Sequence, residues 1–218
     1  MSSAAPDLSQ LDQLRARMQG MAGGMPRATL PVHPALSGVV QLYAGASYEV
    51  DGLGLAMTLL AGPSRAGEWC AVVGIPDFGV EAAAEAGVEL SRTVLVPEPG
   101  EQWLEVTAAL VDVAPVVLVR PGGRVAASVA ERMGARLRKR AAVLLVQGEW
   151  PRCEARLGVE EPVWSGVGQG HGHLRARRAA VVVRRGAAPP RRSELWLPDP
   201  VAGARRAEPA VHALEEAG

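Results

Sequence analysis

Residues 39–61 hold the stretch of this chain best arranged for chemistry. Val39-Val40-Gln41-Leu42-Tyr43 predicts a strand, residues 44–51 a tight turn, and residues 51–61 a helix. A strand, a small-residue turn and a helix form the frame that cradles phosphates, because backbone N–H groups and a helix N-terminus converge there. Ser47, Glu49, Val50 and Asp51 fill the turn. The Lys that would reach the phosphates and the Ser or Thr that would hold Mg²⁺ are missing, with Val50 and Asp51 in their place. A phosphate frame without those groups predicts no catalytic residue, no cofactor and no metal, in a protein that acts by contact.

A second constellation is a run of guanidinium groups. Arg175, Arg177, Arg178, Arg184, Arg185, Arg191 and Arg192 occur over 175–192 with no acid among them. Arg forks match phosphate geometry, and a stripe of charge concentrates polyanions. Two readings stand: contact with DNA through Arg175, Arg177, Arg178, Arg184 and Arg185, or a solvated strand face. Trp164, at the start of a Gly-rich stretch, can stack on a base or anchor a loop. His171 and His173 flank Gly172 without a neighbouring Cys or acid set, so a polar loop is expected rather than a metal site.

Composition narrows the classes. The 218 residues carry 23 basic and 23 acidic side chains, so no global field draws the chain to nucleic acid or membrane. Lys139 is the only lysine, and with abundant Ala, Gly and Val this reflects GC-rich coding rather than selection for guanidinium chemistry. Cys70 and Cys153 offer neither metal spacing nor a disulfide framework, and Cys70 reads as a small buried hydrophobe. No leader-like segment and no apolar run of membrane length occurs, so a cytoplasmic protein is expected.

The elements that must position these groups follow from periodicity. Asp7 caps a helix over 7–21, with Gln10 as its capping-box partner and Leu11, Leu14, Met18 and Met21 in one apolar stripe. That stripe must be buried on the chain's own core or on another protein. Residues 23–37, with Gly23-Gly24, Pro26, Pro31 and Pro34, read as a linker. Apolar runs at 39–43, 69–74, 93–97, 115–119 and 142–147 predict strands covered on both faces. Helices over 51–61, 79–86, 101–112 and 124–140 alternate with them and imply a parallel sheet with right-handed crossovers. Trp69, Trp103 and Trp150 sit at element boundaries, where packing is expected. Residues 148–173 read as Gly-rich loop. Ala179–Arg184 and Ser193–Leu197 predict an antiparallel pair at the sheet edge, leaving Leu195, Trp196 and Leu197 as a docking strand. Residues 198–218 read as a flexible tail.

The stretch 83–106, with Gly87-Val88-Glu89 before a strand and Pro97-Glu98-Pro99-Gly100-Glu101-Gln102-Trp103-Leu104-Glu105 after it, resembles a segment of the RecA recombinases. Residues 170–185 resemble the end of the second RecA DNA-binding loop and the strand that follows. The resemblance covers roughly 38–186 and implies a RecA-like core over 38–197. That core is an α/β fold, a mostly parallel sheet flanked by helices, with an antiparallel C-terminal strand pair and a separate N-terminal helix.

The departures from that family carry the functional expectation. Placed without gaps from Tyr43, the family's phosphate-loop ending falls on Glu49, Val50 and Asp51, and two carboxylates there would repel a polyphosphate. Strand 116–119 ends in Arg120-Pro121 rather than a metal-tuning Asp. Gly74-Ile75-Pro76 offers no catalytic Glu, and Asp77 is only a near neighbour. Gln147 lies near the family's phosphate-sensing Gln. Residues 120–124 leave no room for the first DNA-binding loop. A smaller group fits these losses better: the chain resembles the Walker-degenerate, RecA-derived accessory proteins of the actinobacterial translesion mutasome, the ImuA type. That resemblance implies a degenerate ATPase that binds an inactive Y-family polymerase homologue of the ImuB type and an error-prone replicative-type polymerase. It further implies association with the nucleoid under DNA damage. Contact with single-stranded DNA and self-association through the N-terminal helix are further expectations. Leu11, Leu14 and Met18, or the segment from Ser193, would dock the partner.

Overall fold

The structure, a computed structural model, describes residues 27–168, 171–199 and 203–207. The helix expected over 7–21, with Leu11, Leu14 and Met18, lies outside these residues. A nine-stranded sheet organises the rest. Its strands are β3 (Ser47–Val50), β4 (Cys70–Val73), β5 (Thr93–Val96), β6 (Val116–Val119), β7 (Val143–Val146), β8 (Ala155–Gly168), β9 (His171–Arg184), β10 (Arg191–Asp199) and β11 (Gly203–Arg206). A two-stranded ribbon, β1 (Thr29–Leu30) and β2 (Leu42–Tyr43), lies apart. Four helices intervene: α1 (Leu53–Arg65), α2 (Val80–Ala86), α3 (Trp103–Val111) and α4 (Ala127–Arg140).

The order across the sheet is β11-β10-β9-β8-β3-β7-β6-β4-β5. From β8 to β5 every pairing is parallel, and from β8 outward to β11 every pairing is antiparallel. The parallel block and the antiparallel pair of β9 and β10 agree with the expectation from sequence. β4, β6 and β7 are buried along their whole length, which is why they read as unbroken apolar runs. One core, facing α1 and α2, includes Tyr48, Leu59, Leu60, Leu118, Leu145, Val181 and Leu195. The other, beneath α3 and α4, includes Val117, Leu144, Met133, Leu137 and Trp150. Asp112, just past α3, accepts from Arg136 at 2.8 and 2.7 Å and from Arg140 at 3.1 Å, clamping the two helices together.

Several expectations change. The strand of 39–43 shrinks to Leu42–Tyr43 and leaves the main sheet. Val39 and Val40 are buried without being strand residues, so core packing alone explains the apolar run. Of the turn expected over 44–51 only 44–45 remain a turn, and Ser47–Val50 form the strand β3 at the centre of the sheet. Buried Tyr48 sets this arrangement: its hydroxyl donates to the Gln41 carbonyl at 2.8 Å and accepts from the Tyr43 N–H at 2.7 Å. Those bonds hold the preceding ribbon across β3 rather than beside it. Burial pushes the Tyr48 hydroxyl up to about 12.

The described parts of the expected linker and tail also pack. Leu36 is fully buried and His33 nearly so, with the chain passing over α1 at Gly62. A Cβ at Gly62 would lie 2.6 Å from the backbone of Val32 and His33, so only glycine allows this approach. Most of the loop expected over 148–173 is β8 and the start of β9, joined in one long hairpin. Beyond β10, residues 203–206 add β11, so β10 is not an edge. Trp69, expected to pack, is 49% exposed, whereas Trp150 is buried. Cys70 is buried as expected.

Candidate functional site

The carboxyl ends of parallel strands are where open α/β sheets place their ligands. Here a cleft of about 510 Å³ opens at the ends of β3, β7 and β6, lined among others by Glu49, Asp51, Arg120, Gln147, Arg156 and Arg184. Only Asp51 and Gly52 separate β3 from α1, so no loop wraps the space above the helix start. Of the four residues expected to share a degenerate phosphate loop, Asp51 and Val50 reach this cleft, as does Glu49. Ser47 stands at the opposite end of β3, roughly 10 Å from Val50 at the rise of a strand, lining a different depression with Cys153 and Glu154.

The cleft's arginines are matched within the protein. Arg120 donates through both terminal nitrogens to Asp77, at 2.6 and 3.2 Å, and through Nε to the Gln147 side-chain oxygen at 3.1 Å. The bond from Arg120 holds the Asp77 carboxyl below the usual carboxylate range. Glu49 accepts from the Trp150 N–H at 2.7 Å and from Arg156 Nε at 2.5 Å. Arg184 donates to Glu160. Each of the cleft's three arginines therefore holds a carboxylate. Sequence reading had singled out Asp77, Gln147 and Arg120 separately; the fold brings them into one chain of bonds.

The arginine run is divided by the pleat. Arg178 and Arg184 point to one face of the sheet, beside Arg192 of β10, where Glu160, Glu161 and Glu194 meet them. Arg178 to Glu194 is 3.5 Å and Arg192 to Glu160 is 3.3 Å. The run contains no acid of its own, but neighbouring strands supply acids across the ladder. Arg177, on the other face, donates to the Leu197 carbonyl at 2.6 Å and lies 5.3 Å over the Trp164 ring. Arg175 is exposed and makes no ion pair among the described residues. The side chains of His171 and His173 lie outside the described residues. Among the described residues no group of three or more His, Cys, Asp or Glu is placed to hold a metal.

The docking strand is corrected in part. Leu195 and Leu197 are buried in the core that faces α1, which packs on β10. Trp196 alternates to the other face, opposite Arg178 on β9 and Arg205 on β11, and is half-buried. Among the described residues no helix covers that face: the core beneath α3 and α4 includes no residue of β9, β10 or β11.

Sequence reasoning missed one cluster altogether. Arg27 and Arg185 each lie over the Tyr43 ring, at 4.6 and 5.3 Å. Glu154 bridges the pair, 2.9 Å from Arg27 and 3.8 Å from Arg185. This clasp ties the start of the described chain to β9. Its four members are far apart in sequence, and no local pattern announces them.

These features define a mixed α/β protein whose carboxyl-end cleft is laced by its own ion pairs and whose antiparallel strands have one face that no helix of the described residues covers. The chain belongs to the family described as the MT3502 N-terminal domain, whose profile matches residues 35–152. It is similar to the uncharacterized protein Rv3395c of Mycobacterium tuberculosis (strain ATCC 25618 / H37Rv), 34% identical over 160 residues, which is 72% of this chain and 78% of that relative. The family match ends just before β8, so it spans the parallel block up to β7 and excludes the antiparallel strands. Among the described residues no helix is long and apolar enough to cross a membrane.

Proposed function

We propose that this protein is a non-catalytic accessory factor of the ImuA type, with a RecA-like core, that supports translesion DNA synthesis and damage-induced mutagenesis. It binds an inactive Y-family polymerase homologue and, with it, an error-prone replicative-type polymerase, and gathers at the nucleoid under DNA damage. The RecA-like segment at 83–106 supports this reading, as does a mostly parallel sheet followed by antiparallel strands. The observation that carries it is Arg120 forked onto Asp77 and Gln147 where a nucleotide's phosphates would need a free cation. The uncovered face around Trp196 is the surface offered to the polymerase homologue, since a half-buried Trp ringed by matched charges is the composition of an interface hot spot.

The test is a binding titration of the full chain with the Y-family-like homologue. Trp196→Ala should weaken binding about 30-fold, the scale of losing a central aromatic, without moving the melting temperature much. Undiminished binding by that variant removes the docking face. Saturating Mg-ATP should leave the melting temperature unchanged, and a clear rise overturns the account of the cleft and favours a residual ATP-binding regulator.

One observation favours a second reading, a nucleotide-independent module for single-stranded DNA. Trp164 is 46% exposed under the Arg177 guanidinium, with Leu174 and Arg175 exposed nearby on β9. Aromatic and guanidinium planes of this kind stack on bases. Affinity for a fluorescent oligonucleotide that falls steeply with salt, and again in Trp164→Ala, would establish it.

A further inference from the structure

We propose that β5, the last strand of the parallel block, pairs antiparallel with β5 of a second copy of this chain, about a two-fold axis at Leu95. β5 (Thr-Val-Leu-Val) has β4 on one side and no strand of the described residues on the other. None of its four residues is buried, in contrast to all four of β4, and Leu95 is 38% exposed. The opposite end of the described sheet is guarded. There β11 (Gly-Ala-Arg-Arg) carries Arg205 and Arg206, and charge on an edge strand blocks further pairing. β5 has no charge of its own.

The backbone decides which residue can stand on the axis. The Gly74 N–H donates to the Val96 carbonyl at 2.9 Å. Val94 and Val96 therefore turn their peptide groups toward β4, and Thr93 and Leu95 turn theirs outward. The Thr93 N–H is already taken by the Leu90 carbonyl. Leu95 keeps both its N–H and its C=O without a protein partner among the described residues. Such a residue can face its own copy across a two-fold axis, each N–H donating to the other's carbonyl. Charge selects the occupant. Arg92 lies three positions before Leu95 and Glu98 three positions after it. With Leu95 opposite the second copy's Leu95, the register sets each Arg92 opposite the other copy's Glu98, and Val94 opposite Val96. Arg92 and Glu98 are exposed and make no ion pair among the described residues; Arg92 bonds the Gly67 carbonyl at 2.8 Å. A strand of other sequence matches this pattern only by coincidence. Pro97 has no N–H to extend the ladder, which favours a short symmetric pair over a long peptide. This inference does not depend on the polymerase-binding role; it stands or falls on the chain alone.

The experiment is sedimentation equilibrium of the full-length protein. A monomer–dimer equilibrium is expected, with a dissociation constant of roughly 1–100 μM, the weak range of a small interface. Leu95→Lys sets two ammonium groups face to face on the axis and should raise that constant at least about 30-fold without moving the melting temperature much. Arg92→Glu and Glu98→Arg should each raise it about five-fold, and the double exchange should return it to within about two-fold of the parent. Only an antiparallel pairing in this register predicts that rescue. In a Cys153→Ser background, with Cys70 in the core, Leu95→Cys should be joined into dimers by a short bifunctional maleimide about ten-fold faster than Val113→Cys, which is more exposed but lies off the axis. A parent that stays monomeric at about 200 μM overturns the proposal. So does a dimer indifferent to Leu95→Lys, a folded double exchange that fails to rescue, or equal cross-linking at 95 and 113. If the double exchange does not fold, the comparison of Leu95→Cys with Val113→Cys decides.

Discussion

In the parallel block, β4, β6 and β7 are buried at every position, on both faces, and carry no charge. In the antiparallel wing, β10 alternates: Leu195 and Leu197 enter the core while Arg192, Glu194 and Trp196 face outward. The block is held by apolar area removed from water. The outer face of the wing is covered instead by its own long side chains, in a lattice of Arg178, Arg184, Arg192, Glu160, Glu161 and Glu194. Arg and Glu stems shield the small residues Ala180 and Val182, which are buried although no helix of the described residues lies over them. Around Ala180 and Val182 the sheet thus extends behind charged side chains already committed to one another, while Val163, Trp164 and Leu174 farther along β8 and β9 stay exposed.

That contrast can be broken at several points. The largest effect is expected in the block, where Leu118→Ala or Leu144→Ala removes a fully buried side chain between strands that cannot collapse inward. Urea unfolding should show a loss of about 2–5 kcal/mol for either. Next comes Gly62→Ala, which forces a methyl against the Val32–His33 backbone and should cost about 1–3 kcal/mol. If that variant is as stable as the parent, the N-terminal segment does not lie on α1.

Smaller effects belong to the wing. Glu160→Gln removes the partner shared by Arg184 and Arg192, all of them partly exposed. Its cost should stay under ~1 kcal/mol and shrink further in high salt, since exposed pairs are weak and screened. A loss comparable to that of Leu118→Ala would mean that the lattice, not the core, holds the wing in place.

The smallest expected effect is a pH slope from His33. Burial, then the nearby Arg65, holds this imidazole below its ordinary value of 6.5. The unfolded chain gains the proton near pH 6.5 while the folded chain resists it, so the unfolded state binds more protons there. Stability should therefore decline as pH falls below about 6.5, down to the folded value, and hold steady above it. Melting temperatures between pH 7.5 and 5.5 should fall for the parent and stay flatter for His33→Asn. Parallel slopes for the two would show that His33 is not the group responsible.

Much of the block was legible from residue order. Runs such as Val116-Val117-Leu118-Val119 name a doubly covered strand without help from any other part of the chain. β3 was not legible, because Ser-Tyr-Glu-Val looks polar and turn-like until Arg156 and the Trp150 N–H are known to satisfy Glu49. β8 hid behind glycines, since a long hairpin tolerates them where both strands hold each other. β11 is short and polar, and it forms only because β10 offers it a ladder. At the cleft, the loss of the phosphate-gripping residue types could be seen in advance. That Arg120 turns onto Asp77, 43 positions away, could not.

Residue order by itself determined the alternation of strands and helices, the parallel character of the block and the absence of a phosphate-gripping Lys and Thr. These are local properties, set by periodicity and by which atoms a side chain carries. Tertiary structure alone decided which strand stands at the centre, which arginines are matched and which face of the wing lies open. Those depend on long-range pairing, where a charge or a polar strand becomes stable only through a partner that the chain supplies from far away.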